Sequence, residues 1–186
     1  MRQVKSKSIL LGTQEWMERN LDVVCFRNGD SLLHAQTAED WISANERGEP
    51  AWCYLNNDPS TCDETGLLYN WFAVTDTRGL APEGWQIPSD SDWSVLISFL
   101  GGTNVAGKKM KSRDGAFYDE ASTNESGLSL KISGIRYSEG NFGGGGGVSL
   151  WSSSERDAAS AWYRYLIFSN DYVGRAGFNK GAGFCV

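Results

Sequence analysis

The sequence predicts one domain of the α+β class, two helices set among many short strands and long loops, and three observations predict it. Eight tryptophans and 22 glycines in 186 residues suit short elements whose irregular gaps are filled by large rings. Two segments, Thr37-Ala38-Glu39-Asp40 and Ser89-Asp90-Ser91-Asp92, have the form of helix N-termini. The run Trp162-Tyr163-Arg164-Tyr165-Leu166-Ile167-Phe168 is rich in aromatic and branched residues, as strands are. A chain of this length buries roughly 70% of its unfolded surface, so a core forms without metals or cross-links.

Taken in order, Ser8 to Leu11 and Leu21 to Phe26 read as strands, and Asn28-Gly29-Asp30 is a turn signal. Thr37 and Asp40 then make a capping box. Trp41, Ile42 and Ala44 behind it give a helix of about three turns that ends near Gly48-Glu49-Pro50. Ala51 to Leu55 and Leu67 to Val74 read as strands. The clearest helix follows Ser89, because Trp93, Leu96, Ile97 and Leu100 recur at i, i+3, i+4 and i+7 and share one apolar face. Gly101-Gly102 ends it. That spacing makes Trp93 a core anchor rather than a ring for stacking a ligand.

Beyond Lys111 the pattern loosens around Asp114-Gly115, Asn124 and Gly127. Leu128 to Ile132 alternates apolar and polar residues like a half-buried strand. Gly143 to Gly147 lacks the Lys-Ser/Thr that follows a phosphate loop and reads as a hairpin tip. Phe184 to Val186 reads as the last strand.

The net charge of −6 and the scatter of Lys and Arg, with only Lys108, Lys109, Lys111 and Arg113 together, exclude a basic patch and with it a nucleic-acid partner. No apolar run approaches the ~20 residues of a membrane span, so no membrane insertion is expected. The short apolar run Ser8 to Gly12 lacks the length and cleavage site of a signal peptide. Cys25, Cys53, Cys62 and Cys185 show no Cys-x-x-Cys spacing, and His34 is the sole histidine, so no zinc site is expected. Cys53 and Cys62 flank a turn-rich loop that a disulfide would close; two separate thiols are the alternative.

The stretch Leu68-Tyr69-Asn70-Trp71-Phe72-Ala73-Val74, followed by Gly79-Leu80-Ala81-Pro82-Glu83-Gly84-Trp85-Gln86-Ile87-Pro88-Ser89-Asp90, resembles the signature of the Fibrobacter succinogenes major paralogous domain. Gly12-Thr13-Gln14-Glu15-Trp16-Met17 and Asn20-Leu21 extend the resemblance backwards, and Trp151-Ser152-Ser153 and Ala161-Trp162-Tyr163-Arg164 extend it forwards. It covers nearly the whole chain, 1–186, as a single domain. It implies a C-type lectin-like fold, similar also to formylglycine-generating enzymes, with two helices packed on a twisted, mostly antiparallel sheet. Three departures stand out. Gln86 replaces the usual histidine, the glycines 143–147 replace a more varied loop, and the chain stops at Gly183-Phe184-Cys185-Val186 where relatives continue through an Arg-Cys pair.

The segment 151–186 further resembles the variable region of proteins diversified by retroelements that mutate template adenines. Asparagine codons treated in this way cannot yield Trp, Lys, Glu, Gln or Met, and from Arg156 to Val186 only Trp162 and Lys180 fall outside the permitted set. The resemblance implies a receptor-recognition protein on a virus tail tip or a cell surface. Its partner would be a protein on a target cell, with carbohydrate as the other candidate. Strand alternation supports a binding face. Trp162, Arg164 and Leu166 share one side, with Trp162 and Leu166 expected inward, while Tyr163, Tyr165 and Ile167 share the other. An outward row of rings suits recognition, since rings give large contact area at low entropic cost. The expected ligand-binding set is Tyr163, Tyr165, Ile167, Phe168, Asn170, Asp171, Tyr172, Gly174, Ala176, Phe178 and Asn179. A fixed bacterial adhesin or carbohydrate-binding module of the same fold is the alternative.

No catalytic residue, metal ligand or cofactor is expected. Formylglycine-type chemistry needs a cysteine pair near the C-terminus, where only Cys185 stands. No Gly-x-Ser-x-Gly elbow exists for a serine nucleophile. Asn56, Asn57, Asp58, Asp63 and Glu64 group oxygen ligands as calcium requires, but Asn and Asp are also turn formers.

Overall fold

Gly12, at a φ of +65°, takes the left-handed turn that joins β1 (Ser8–Leu11) to β2 (Gln14–Met17) as an antiparallel hairpin. The computed structural model to which this hairpin belongs describes residues 7–114 and 122–186; Gly115 of the expected turn lies outside them. The fold is mixed α and β, with five α-helices and several small sheets among the described residues.

β3 (Leu33–His34) and β4 (Ala51–Cys53) run parallel and are connected through α1 (Ala38–Glu46). Thr37 and Asp40 cap α1 reciprocally, as their spacing predicts. Two 3-10 turns and α2 (Cys62–Thr65) follow, and β5 (Leu68–Tyr69) completes a three-stranded sheet in the order β3-β4-β5. α3 (Trp71–Thr75) interrupts the strand expected from Leu67 to Val74. The cause is Asn70, whose side-chain oxygen accepts from the Ala73 amide (3.1 Å) and from the Ala51 amide (3.0 Å). It starts a helix and ties that helix to β4.

α4 (Asp90–Phe99) carries the predicted Ser89–Asp92 capping box and buries Trp93, Leu96 and Ile97. α5 (Ala106–Met110), β6 (Ile135–Arg136) and β7 (Phe142–Gly143) lead to the largest sheet, β8 (Gly147–Glu155), β9 (Ser160–Ile167) and β10 (Val173–Asn179), paired antiparallel in the order β10-β9-β8. Gly144–Gly146 make the turn between β7 and β8, which lie in different sheets and form no hairpin.

Two expected strands do not form. Leu21–Phe26 has only an isolated bridge from Cys25 to Ser31, because its amides and carbonyls are divided among separate segments: Leu21 donates to Val186 (2.7 Å) and accepts from Leu67 (3.0 Å). In Leu128–Ile132 a φ of +51° at Ser129 breaks the pleat, leaving one bridge from Leu130 to Lys111. The final segment Gly183–Cys185 does pair, bridging β6, β5 and β8 in succession through Arg136, Tyr69 and Leu150. Cys53 and Cys62 are separate free thiols, the first buried in the core.

Two apolar clusters flank the large sheet. Val148, Leu150, Leu166 and Val173 face Trp93 and Leu96 on one side. Trp151, Ala161 and Phe184 pack with Tyr69 and Trp71 on the other. Trp151 is fully buried, stacks on Phe184 at 4.3 Å between ring centroids, and donates from Nε1 to the Tyr69 carbonyl (3.0 Å). Trp151→Ala is expected to cost about 3–5 kcal/mol, measured by denaturant unfolding.

Candidate binding face on the C-terminal sheet

Strand alternation sorts β9 and β10 as the sequence pattern anticipates. Register pairs Tyr163 with Ala176, Tyr165 with Gly174 and Leu166 with Val173, so Tyr163, Tyr165, Ile167, Gly174, Ala176 and Phe178 share one face. Leu166 and Val173, fully buried, anchor the other. Along the open face the rings form a row. Phe178 lies 5.7 Å from Tyr163, Tyr163 lies 5.6 Å from Tyr165, and Tyr165 lies 6.3 Å from Tyr172. Ile167 and Tyr172 are 44% and 41% exposed, the open end of the row. At the other end Tyr163 is half-buried and meets Phe184 at 4.8 Å. Burial and the neighbouring Tyr165 and Tyr137 raise its phenol pKa above the ordinary value.

Not all expected residues reach this face. Phe168 is a correction: it is buried in the core with Leu166 and Val173, because the chain turns immediately after Ile167. Gly174 is buried as well. A Cβ there would stand 2.0 Å from the Tyr165 ring, so this glycine is the floor on which Tyr165 lies. Asn179 is exposed on the opposite side of β10 by alternation, and its side-chain oxygen accepts from the Gly181 amide (2.8 Å). Asn170 is exposed in the β9–β10 turn and accepts from the Tyr172 amide (3.0 Å). Asp171 is half-buried, with its carbonyl accepting from Gly107 (3.0 Å). Trp162, expected inward, is only half-buried and lies under the exposed Arg175, 3.4 Å above its ring.

The turn itself is clamped from below. Buried Lys111 donates to the carbonyls of Phe168 (3.2 Å) and Asn170. At Gly107 an added Cβ would lie 2.5 Å from the Asp171 oxygen. α5 therefore fixes the backbone of a turn whose Asn170 and Tyr172 side chains remain exposed. Tyr137 also belongs to the face. It is 37% exposed and its ring sits 6.3 Å from Phe178. Nothing in the C-terminal third of the sequence points to it, because its position follows from the bridge between Arg136 and Gly183.

The model of the Fibrobacter succinogenes major domain matches residues 9–186. The chain belongs to this family. No curated protein and no solved structure matches it.

In this Fibrobacter major domain the reverse side of β9–β10 is held to α4 by charge. Arg164, almost fully buried, donates to the Asp90 carboxylate (2.6 Å) and carbonyl (3.0 Å). Arg175 completes a two-pronged contact with the same carboxylate at 2.9 and 3.0 Å. Burial acts to raise the Asp90 pKa, but the hydrogen bonds and charges of Arg175 and Arg164 outweigh it and hold the carboxyl below the ordinary range. The stability this supplies is complete above the unfolded value of about 3.9 and is lost as pH falls through the lower folded value. Asp90→Asn is expected to flatten that part of the acid limb of a stability-against-pH profile. Tyr172→Ala should change stability by no more than about 0.5 kcal/mol, whereas Tyr163→Ala should cost roughly 2 kcal/mol, both read from unfolding midpoints.

Proposed function

We propose that this domain is a C-type lectin-like, non-enzymatic recognition protein that presents a diversified face, the row Phe178, Tyr163, Tyr165, Tyr172 and Ile167, to a protein ligand on a target cell. The observation that carries the reading is the pairing of that row, half-buried from Phe178 to Tyr165 and exposed at Ile167 and Tyr172, with a β9–β10 turn pinned by Lys111 and Gly107. Side chains on such a sheet change without moving the strand, and rigid tyrosines are efficient contact residues. Leu166 and Val173, which the fold needs, point away from that row into the core on the other face, while Phe184 lies beneath the Tyr163 and Phe178 end of it. Presentation on a virus tail tip or a cell surface follows from the same reading.

The settings of Cys185, Cys53, His34 and the Asn56–Asp58 loop support the non-enzymatic reading. Burial raises the thiol pKa of Cys185 to about 12 and of Cys53 to about 11, so neither supplies a thiolate near neutral pH. His34 stacks on Trp52 at 3.9 Å, and burial, then the Arg136 charge, lower its pKa. Asn56 and Asn57 adopt left-handed φ values of 54° and 56°, and Asp58 accepts from the Ser60 amide (2.9 Å), which are turn-forming roles. Among the described residues no helix is long and apolar enough to cross a membrane.

Sequencing this locus from many cells or particles of one source tests the reading. Substitutions are expected to concentrate at Tyr163, Tyr165, Ile167, Asn170, Tyr172, Ala176 and Phe178, with Leu166, Val173 and Phe184 unchanged. A uniform segment after Trp151 would overturn diversification and favour a fixed adhesin or carbohydrate-binding module on the same fold.

A further inference from the structure

On the other side of the large sheet, a cavity of about 280 Å³ opens between the Gln14–Leu21 segment and the 81–88 loop, with Leu150 of β8 in its wall. Trp16 and Trp85 line it together with Trp93, a core ring only 4% exposed that meets Trp16 at 4.8 Å with their planes tilted 48°. It adjoins a polar hollow of about 310 Å³. The two share Glu18, Arg19, Asn20, Leu128 and Leu130, and the second adds Asp63, Glu64 and Lys131. Together they fall in the size range of small-ligand pockets, about 300–1,000 Å³. The two segments Gln14–Met17 and Trp85–Pro88, which carry the family resemblance, both form walls of this cleft.

The polar side chains at the apolar end are largely committed within the protein. Gln14 donates to the Asp92 carbonyl (3.2 Å) and accepts from Trp16 Nε1 (3.2 Å). Asn20 donates to the Thr65 carbonyl (2.9 Å). The Asp92 carboxylate accepts from the Ser89 amide (2.8 Å) and hydroxyl (2.7 Å). A sugar entering here would lose hydrogen bonds to water and regain few. What the cleft offers instead is ring surface and negative charge. Across the two hollows Glu15, Glu18, Asp92, Asp63 and Glu64 outnumber the cations Arg19 and Lys131, and the Arg19 guanidinium donates to the Asp63 carbonyl (3.2 Å). Half-buried Glu18 stands where the apolar and polar hollows meet.

We propose that this cleft is a second binding site, separate from the sheet face, for a hydrophobic organic cation of the trimethylammonium class, its methyl groups against the tryptophan-lined end and its charge opposite Glu18. The trimethylammonium head has no hydrogen-bond donors to satisfy, and it is attracted both to indole faces and to a carboxylate.

Titration calorimetry and tryptophan fluorescence of the whole chain test this with choline, its uncharged isostere 3,3-dimethylbutan-1-ol, and glucose. Choline is expected to bind at least about tenfold tighter than the isostere, as a desolvated cation–π contact predicts. Glu18→Gln should weaken choline several-fold with an unchanged unfolding midpoint, and Trp85→Ala should abolish the fluorescence response. Should Trp85→Ala unfold the domain, Glu18→Gln still decides the matter. Equal binding of the isostere, preferential binding of glucose, indifference to Glu18→Gln, or no choline response at all would each overturn the proposal. None of these outcomes touches the reading of the sheet face, which Tyr165 and Tyr172 report.

Discussion

Much of the fold hangs on the three residues Gly183, Phe184 and Cys185. Gly183 exchanges backbone hydrogen bonds with Arg136 (3.0 and 2.7 Å), Phe184 exchanges them with Tyr69 (2.9 and 3.1 Å), and Cys185 is paired to Ser149 and Trp151 (3.1 and 3.0 Å). Three elements that are far apart in the chain thus share one short strand. The geometry is demanding: a Cβ on Gly183 would lie 2.9 Å from the Trp41 ring, so α1 could not approach a larger residue. Phe184, fully buried, then supplies the surface on which Trp151, Tyr163 and Phe178 pack. The row of rings on β9 and β10 is therefore built outward from Phe184.

Two buried arginines make the complementary attachments. Arg136 donates to the carbonyls of Ala35 (2.8 Å), Thr37 (2.7 Å) and Gly140 (3.1 Å) and lies between the rings of Trp41 and Phe142. A guanidinium meets several carbonyls at once because its donors form a fixed fork. It joins the β6–β7 turn, where Tyr137 stands, to the N-terminus of α1. Arg164 does the equivalent on the reverse of β9, through Asp90. Both are hydrogen-bonded charges with little or no exposure, a setting in which removing one partner is costly. The consequence is a division across one strand: Arg164 and Leu166 are committed to the interior, while Tyr165 and Ile167, their immediate neighbours, lie on the opposite face.

Much of this was legible in sequence and some was not. Both capped helices begin at Thr37 and Ser89 as their spacing predicts, because an N-cap is a contact between residues three apart. The two-sided character of β9 was equally legible, since alternation is a property of any strand. The strand expected through Val74 failed because Asn70 has two readings, turn former or helix cap, and only contact with β4 selects the second. Phe168 was misplaced because alternation ends where the strand ends, and that boundary is set by Lys111, fifty-seven residues earlier.

The sequence settled local matters: helix starts, the apolar stripe of α4, the faces of β9, and through its motifs the family. Those features depend on near neighbours or on period, which are written in the order of residues. Tertiary structure decided which parts of each face are open. Tyr163 and Tyr165 sit two residues apart on the same side, yet one leans on Phe184 and the other on Gly174 beside Tyr172. It also brought the Gln14 and Trp85 segments together around a cleft that neither foretells alone. Burial is a sum over all neighbours in space, and for these residues most of those neighbours are distant in the chain.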